Sequence, residues 1–233
     1  MTLTVLDFPR QATPSLTPIT AAQARALDHW AEHTLGMPTL LLMEHAALSV
    51  ARVARELAGD GAIWVVCGPG NNGGDGLAAT RLLHPQAQAL LVRAPDPTRA
   101  PEAARQLRIL QQGGIAVATG RGTLTGRPAL VIDALLGTGV TRPVTGELAD
   151  TIHWMNRLGA PILAVDLPSG MHADTGAELG VAVRAQCTVT FARPKAGLLT
   201  ADGWALAGRV LVASLGIPET LLDQAPWDRP PEA

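Results

Sequence analysis

Tyrosine is absent from this chain, and lysine occurs once, at position 195, among eighteen basic residues. The first absence removes the Tyr–Lys pair on which many dehydrogenases rely, and no His–Asp pair at a recognisable spacing replaces it. Cysteine is nearly absent too. Cys67 and Cys187 each sit in or beside an apolar run rather than in a metal-ligand spacing, so a disulfide framework and a zinc site are both excluded, and buried thiols are expected. Charge of one sign is missing: twenty acidic against eighteen basic side chains leave a formal net charge of −2. That gives no footprint for nucleic acid or an anionic membrane surface. Runs such as TLLLM and PILAV are far shorter than the ~20 apolar residues of a membrane span. The first residues carry Asp7 and scattered prolines instead of the apolar core of a secretory signal. A frayed tail is expected over 1–18, and the cytoplasm is the expected compartment.

What is present is a chain of 233 residues, 47% hydrophobic, enough for a full core in one domain. Thr20 is a plausible cap for an amphipathic helix that stops near Gly36, and a second helix is predicted from Pro38 to Leu57. From there the pattern changes. The runs AIWVVCG, AQALLVR, ALVIDAL and PILAVDL are short and almost wholly apolar, and helix-compatible stretches near 76–84, 99–112 and 146–158 separate them. Further strands are expected at CTVTFA and GRVLVAS. This alternation predicts an α/β fold: a three-layer α/β/α sandwich around a Rossmann-like, mostly parallel sheet with helices on both faces. Ligands of such sheets bind in the crevice at the carboxyl ends of the strands. The domain is expected over 19–218, with a carboxyl-terminal tail at 219–233.

Four strand ends carry unusual residues. In VVCGPGNNGGDG, Gly68, Gly70 and Gly73 satisfy the dinucleotide pattern, but Asp75 stands where phosphate oxygens would lie. Asp75 fits two readings, a cap for a helix starting near Gly76 or an acid facing the ligand. In VIDALLGTGVTRP, Asp133 closes a strand and Gly137, Thr138 and Gly139 offer backbone amides, with Arg142 behind them. The carboxylate could equally order the loop. In PILAVDLPSG, Asp166 and Ser169 follow their strand at the same relative place, in a turn that Asp, Pro, Ser and Gly build in any case. In TVTFARPKAGL stands Lys195, either a compact donor needed there or a lysine left by chance. Asn72, Asp133 and Ser169 are hard oxygen donors suited to one cation if their strands are neighbours. His45 and His153 fall in helical segments and are expected to be packed or surface residues.

With GPGNNGGDGL, DALLGTGVTRPVTGEL, AVDLPSGMHADTG and TVTFARPKAGL in this order, the chain resembles the NAD(P)H-hydrate epimerase family, the YjeF amino-terminal domain, over about residues 18–218. The resemblance implies an isomerase that interconverts the R and S forms of hydrated NADH and NADPH, a repair of damaged cofactor, and a homodimer. It implies that Asn71, Asn72, Gly73, Gly74 and Asp75, together with Gly137, Thr138, Gly139, Val140, Thr141, Arg142 and Pro143, line the dinucleotide, and that Asp166 contacts it. It implies a potassium ion (K+) held by Asn72, Asp133 and Ser169. It also implies functional coupling to an S-specific dehydratase, here on a separate chain or lost from a fusion. In LMEHAA, His45 and Ala47 depart from the Glu-Asn-Ala-Gly of many relatives.

Inverting a carbon that bears both a hydroxyl and a ring nitrogen is easiest by loss and return of the hydroxyl as water, or by ring opening and reclosure. Either route needs general acid–base catalysis, for which Asp166 is the candidate. Lys195 is expected to tune that carboxylate or to contact ligand phosphate. Two rivals stand beside this reading. A dehydrogenase would find only Asp96 near the second strand to hold a ribose, and a non-catalytic nucleotide-binding or protein-interaction module would leave the crevice acids without use.

Overall fold

The computed structural model describes residues 3–6 and 17–227. The longer apolar runs become strands: β2 (Ile63–Cys67), β3 (Ala87–Leu91), β5 (Leu130–Ala134), β6 (Ile162–Val165), β7 (Cys187–Phe191) and β8 (Arg209–Ala213). Two short strands complete the sheet, β1 (Leu3–Leu6) and β4 (Val117–Ala118). The order is β1-β8-β7-β6-β5-β2-β3-β4, parallel throughout except for β1, which pairs antiparallel with β8. The chain leaves β2 toward β3 and β4, then returns to β5 on the other side of β2. That reversal opens a crevice at the carboxyl ends of β2 and β5, where a doubly wound sheet binds its ligand.

Helices α1 (Ala21–His33), α2 (Thr39–Ala58), α3 (Asn71–Leu83) and α4 (Pro101–Gln112) cover one face. Leu27, Leu42, Val50, Leu77 and Leu110 from these helices pack against Ile63, Val65, Ile132 and Val189. On the other face Ile152 and Met155 of α5 (Gly146–Arg157) bury Val66, Leu90 and Val131. A smaller cluster sets Leu206 and Ala207 of α6 (Ala201–Ala207) against Val210 and Leu198. Alternate strand residues thus feed opposite layers, which is why the strands read as continuous apolar runs. Thr20 caps α1 in a reciprocal pair with Gln23, whose side chain accepts from the Thr20 amide at 2.8 Å. Cys67 and Cys187 are buried free thiols, both pushed upward in pKa by burial.

Three expectations need correction. Leu3–Leu6 are not tail but the edge strand β1; the rest of the expected frayed segment, 7–16, lies outside the described residues. The segment after 218 forms α7 (Glu219–Leu222), and Leu222 and Ala225 are buried. The helix expected near 76 starts five residues earlier, at Asn71, because its glycines are packing surfaces. A Cβ on Gly73 would sit 1.9 Å from the Gly68 carbonyl oxygen, and one on Gly76 would sit 2.5 Å from Ala134 Cβ. Close contact between helix and sheet outweighs the weak helix propensity of NNGGDG.

Candidate functional site

The site begins with the turn after β2. Gly68 lies so close to β5 that a Cβ there would meet the Leu135 carbonyl oxygen. Gly70 then caps α3 through its backbone alone. Asp75 therefore sits in the second turn of α3 and caps nothing, which leaves the reading in which its carboxyl faces a ligand.

Asn72, Asp133 and Ser169 meet under the switch point. The Asn72 amide nitrogen donates to the Leu136 carbonyl at 3.0 Å, while its Oδ1 is buried without a partner. Asp133 is fully buried and accepts from the Ser169 hydroxyl at 2.6 Å, the Ser169 amide at 2.8 Å and the Leu135 amide at 3.2 Å. The Ser169 hydroxyl in turn accepts from the Leu136 amide at 2.8 Å. Burial raises the Asp133 pKa to about 6, against the lowering effect of the Ser169 and Leu135 hydrogen bonds. Oxygens from three distant segments, one of them unpartnered, form a donor set suited to a hard monovalent or divalent cation.

The ends of β6 and β7 supply the second group. Asp166 has φ 66°, a left-handed conformation rare for a residue with a side chain, and its amide donates to the Val189 carbonyl at 2.7 Å. Such strain persists only where the surroundings enforce it, and it concentrates at functional sites. Asp166 Oδ1 accepts from Lys195 Nζ at 2.5 Å and from the Thr190 hydroxyl at 3.0 Å. Lys195 is 4% exposed, and its ammonium also donates to Thr190 Oγ1 and the Phe191 carbonyl, both at 3.3 Å. Three donors on a point charge meet three acceptors, a convergence that suits a compact ammonium better than a planar guanidinium.

Asn72 of the first group and Asp166 and Lys195 of the second border one cavity of about 230 Å³, while Asp133 and Ser169 are fully buried behind Asn72 and lie off it. Asn71, Asn72, Asp75, Gly137, Thr138, Asp166 and Lys195 line it, all of them foreseen. Gly73 and Gly74 do not: they are buried, Gly73 against Gly68 and Gly74 against Met43 and Ala103. Gly139, Val140, Thr141, Arg142 and Pro143 also lie off the cavity, in a loop exposed over most of its length. Sequence reasoning missed the opposite wall, formed by Ala24, Arg25, Leu27 and Asp28 of α1 and by Leu42, Met43 and Ala46 of α2. Asp28 belongs to a helix that reads as merely amphipathic, and nothing in its spacing marks it. His45 of α2 lies off the cavity, its ring against Gly216.

The crevice is acidic. The Asp75 carboxyl stands well above the usual carboxylate range, through burial first, then the nearby charges of Asp166 and Asp28, with Lys195 opposing. Asp28 is raised to about 6 by the protein surrounding it, with Lys195 lowering and Asp166 and Glu32 raising it. Asp28 is nonetheless an exposed residue of α1, so solvent tempers that rise.

Residues 39–197 match the family described as YjeF-related protein N-terminus. The chain belongs to that family. Among YjeF relatives it is 45% identical over 198 residues to the NAD(P)H-hydrate epimerase of Limosilactobacillus fermentum, covering 84% of this chain and 95% of the relative. It is 35% identical over 226 residues to the one from Rhodopirellula baltica, covering 94% and 93%. The bifunctional NAD(P)H-hydrate repair enzyme Nnr of Salinibacter ruber is 40% identical over 228 residues, and this chain spans 42% of its length. The crystal structure of yeast ynu0, YNL200c, superposes with a TM-score of 0.68 at 22% identity, over 78% of this chain and 83% of that one, and shows the same YjeF fold.

Proposed function

We propose that this YjeF-family protein is an NAD(P)H-hydrate epimerase, interconverting the R and S forms of hydrated NADH and NADPH. The observation that carries the reading is Asp166, twisted into a left-handed conformation and held by Lys195 at a crevice whose chain is 45% identical to a named epimerase. The ring-bearing end of the dinucleotide enters the cavity of about 230 Å³, and the remainder lies over the exposed 139–143 loop. On the ring face it meets, Asp166 donates a proton to the departing hydroxyl or, in the reverse direction, takes one from the water that adds there, general acid–base work at one carbon. Lys195 fixes the carboxyl and opposes stray rotation; Thr190 holds it from the second side.

The unpartnered Asn72 Oδ1, with Asp133 and Ser169, supports a potassium ion beneath the switch point. A cation there would supply fixed positive charge near the dinucleotide phosphates. Raised melting temperature in potassium over choline chloride, lost in Ser169→Ala, is the expected mark of that site. A homodimer is supported by Leu41 and Leu48, exposed at 45% and 43% and two turns apart on α2. Among the described residues no helix is long and apolar enough to cross a membrane, in keeping with a cytoplasmic enzyme. The two-activity relatives support coupling to an S-specific dehydratase. Mixing the purified protein with hydrated NADH and such a dehydratase tests the central claim: full consumption is expected, and persistence of the R fraction would refute it.

A further inference from the structure

We propose that Asp28 is a second acid–base group of this reaction, serving the ring face opposite the one served by Asp166. The inference rests on the epimerase reading and extends it to a helix that precedes the matched family region, which starts at residue 39. Moving a hydroxyl from one face of a ring to the other needs a proton donor where it leaves and a proton acceptor where water returns. One carboxyl held by Lys195 and Thr190 cannot stand on both sides of a ring. Asp28 faces the same cavity from another wall, on α1, while Asp166 projects from the end of β6.

That wall is fixed to the amine. Ile19 pairs in parallel with Lys195: its amide donates to the Pro194 carbonyl at 2.9 Å, and the Ala196 amide donates to the Ile19 carbonyl at 2.8 Å. The Ala21 amide donates to Asp174 Oδ1 at 2.6 Å. The capped helix that follows carries Asp28 two turns in, at a set position relative to the Lys195 loop. Lys195 is the cation that acts on Asp28, and Asp166 and Glu32 are the acids that oppose it. Asp75 couples to it from α3, and Arg25 borders the cavity one turn earlier on α1. Glu32 is engaged by the Thr39 hydroxyl at 2.8 Å, and α2 contributes only Thr39, Leu42, Met43 and Ala46 to the lining. Of the α1 acids, Asp28 alone is therefore in place to exchange protons with the ligand.

The step balances. A carboxylic acid on one wall protonates the hydroxyl, the carbon–oxygen bond breaks, water departs, and the ring-nitrogen lone pair forms the carbon–nitrogen double bond. Water then adds to the other face and gives its proton to the carboxylate there. One proton has crossed the crevice, and the reverse turnover or bulk solvent returns it.

Each pure epimer, incubated in oxygen-18 water with the wild type, Asp28→Asn, Asp28→Glu or Asp166→Asn, tests this. In Asp28→Asn, epimerisation should fall by about 100-fold or more, while one epimer alone still exchanges its hydroxyl oxygen with retained configuration. Asp166→Asn should show the mirror pattern, exchange of the other epimer alone, and Asp28→Glu should recover part of the epimerisation. Epimerisation by Asp28→Asn within a few-fold of wild type would overturn the proposal, as would equal loss of exchange from both epimers. A wild type that neither epimerises nor exchanges would instead overturn the epimerase reading itself.

Discussion

The ends of β6 and β7 are neighbours in the sheet and leave it by the same turn. Asp166 and Ala192 both take left-handed backbone angles, φ 66° and 58°. In each case the next amide donates back two residues, Leu167 to Val165 at 2.8 Å and Arg193 to Phe191 at 2.7 Å. Pro168 and Pro194 follow, then Ser169 and Lys195. The fillings differ. At β6 the strained position itself bears the carboxyl, and the residue three further on turns inward to Asp133. At β7 the strained position is a methyl group, and the residue three further on reaches back to the neighbouring turn. The scaffold supplies one bend twice; residue type decides which copy carries the reacting group and which supports it.

Replacing the acid tests that division most severely. Asp166→Asn should keep the fold and lose epimerisation by roughly 10³-fold, measured by consumption of the R hydrate in the coupled assay. Near-normal turnover would remove Asp166 from the chemistry. Lys195→Met should act on stability as well, because it strands a half-enclosed carboxylate: a loss of about 3 kcal/mol is expected in denaturant melts. Adding Asp166→Asn to that variant should recover part of it, and strict additivity would show that the two turns are independent.

How much of this was legible in the sequence varies with the physics behind each feature. The strands were, since burial on both faces leaves near-continuous apolar runs such as IWVVC and LVIDA. Asn72, Asp133 and Ser169 could be grouped because each stands at or just past a strand end, and their convergence needs only that those strands be close. The start of α3 was hidden, because Asn and Gly argue against a helix locally and the contacts that favour it, Gly74 with Ala103 and Gly76 with Ala134, are tertiary ones. The role of α1 was hidden for a different reason. An acid on an amphipathic helix looks like a solvated surface residue until the opposite wall is known. The matching turns VDLPS and FARPK share only a proline and a position, so their likeness appears in the backbone rather than in the letters.

Gentler changes sharpen the same contrast. Ala192→Gly should relieve the left-handed strain that alanine bears, raising stability by about 1 kcal/mol with activity unchanged, because no reacting group stands there. A loss of activity would mean that the second turn has a more direct role. The smallest effect expected is one of pH. Asp75 is raised above its unfolded value, so the folded state holds that proton more tightly. Its contribution is fully present below about pH 4, the unfolded carboxyl range, and is lost as pH rises through the folded pKa. Asp75→Asn should therefore melt higher than the wild type at pH 7, by roughly 2–4 °C, with the gap closing near pH 4. A gap independent of pH would assign the effect to packing.

Ile19 occupies a position with practical weight. Its backbone lies against the chain on both sides of the amine, holding Pro194 and Ala196. Trimming the amino terminus beyond that residue would remove no strand among β2–β8 and, of the residues that line the crevice, Ile19 alone. It would nonetheless untie the loop that aims Lys195 and the helix that presents Asp28, so a shortened product could look sound by circular dichroism and still be inert.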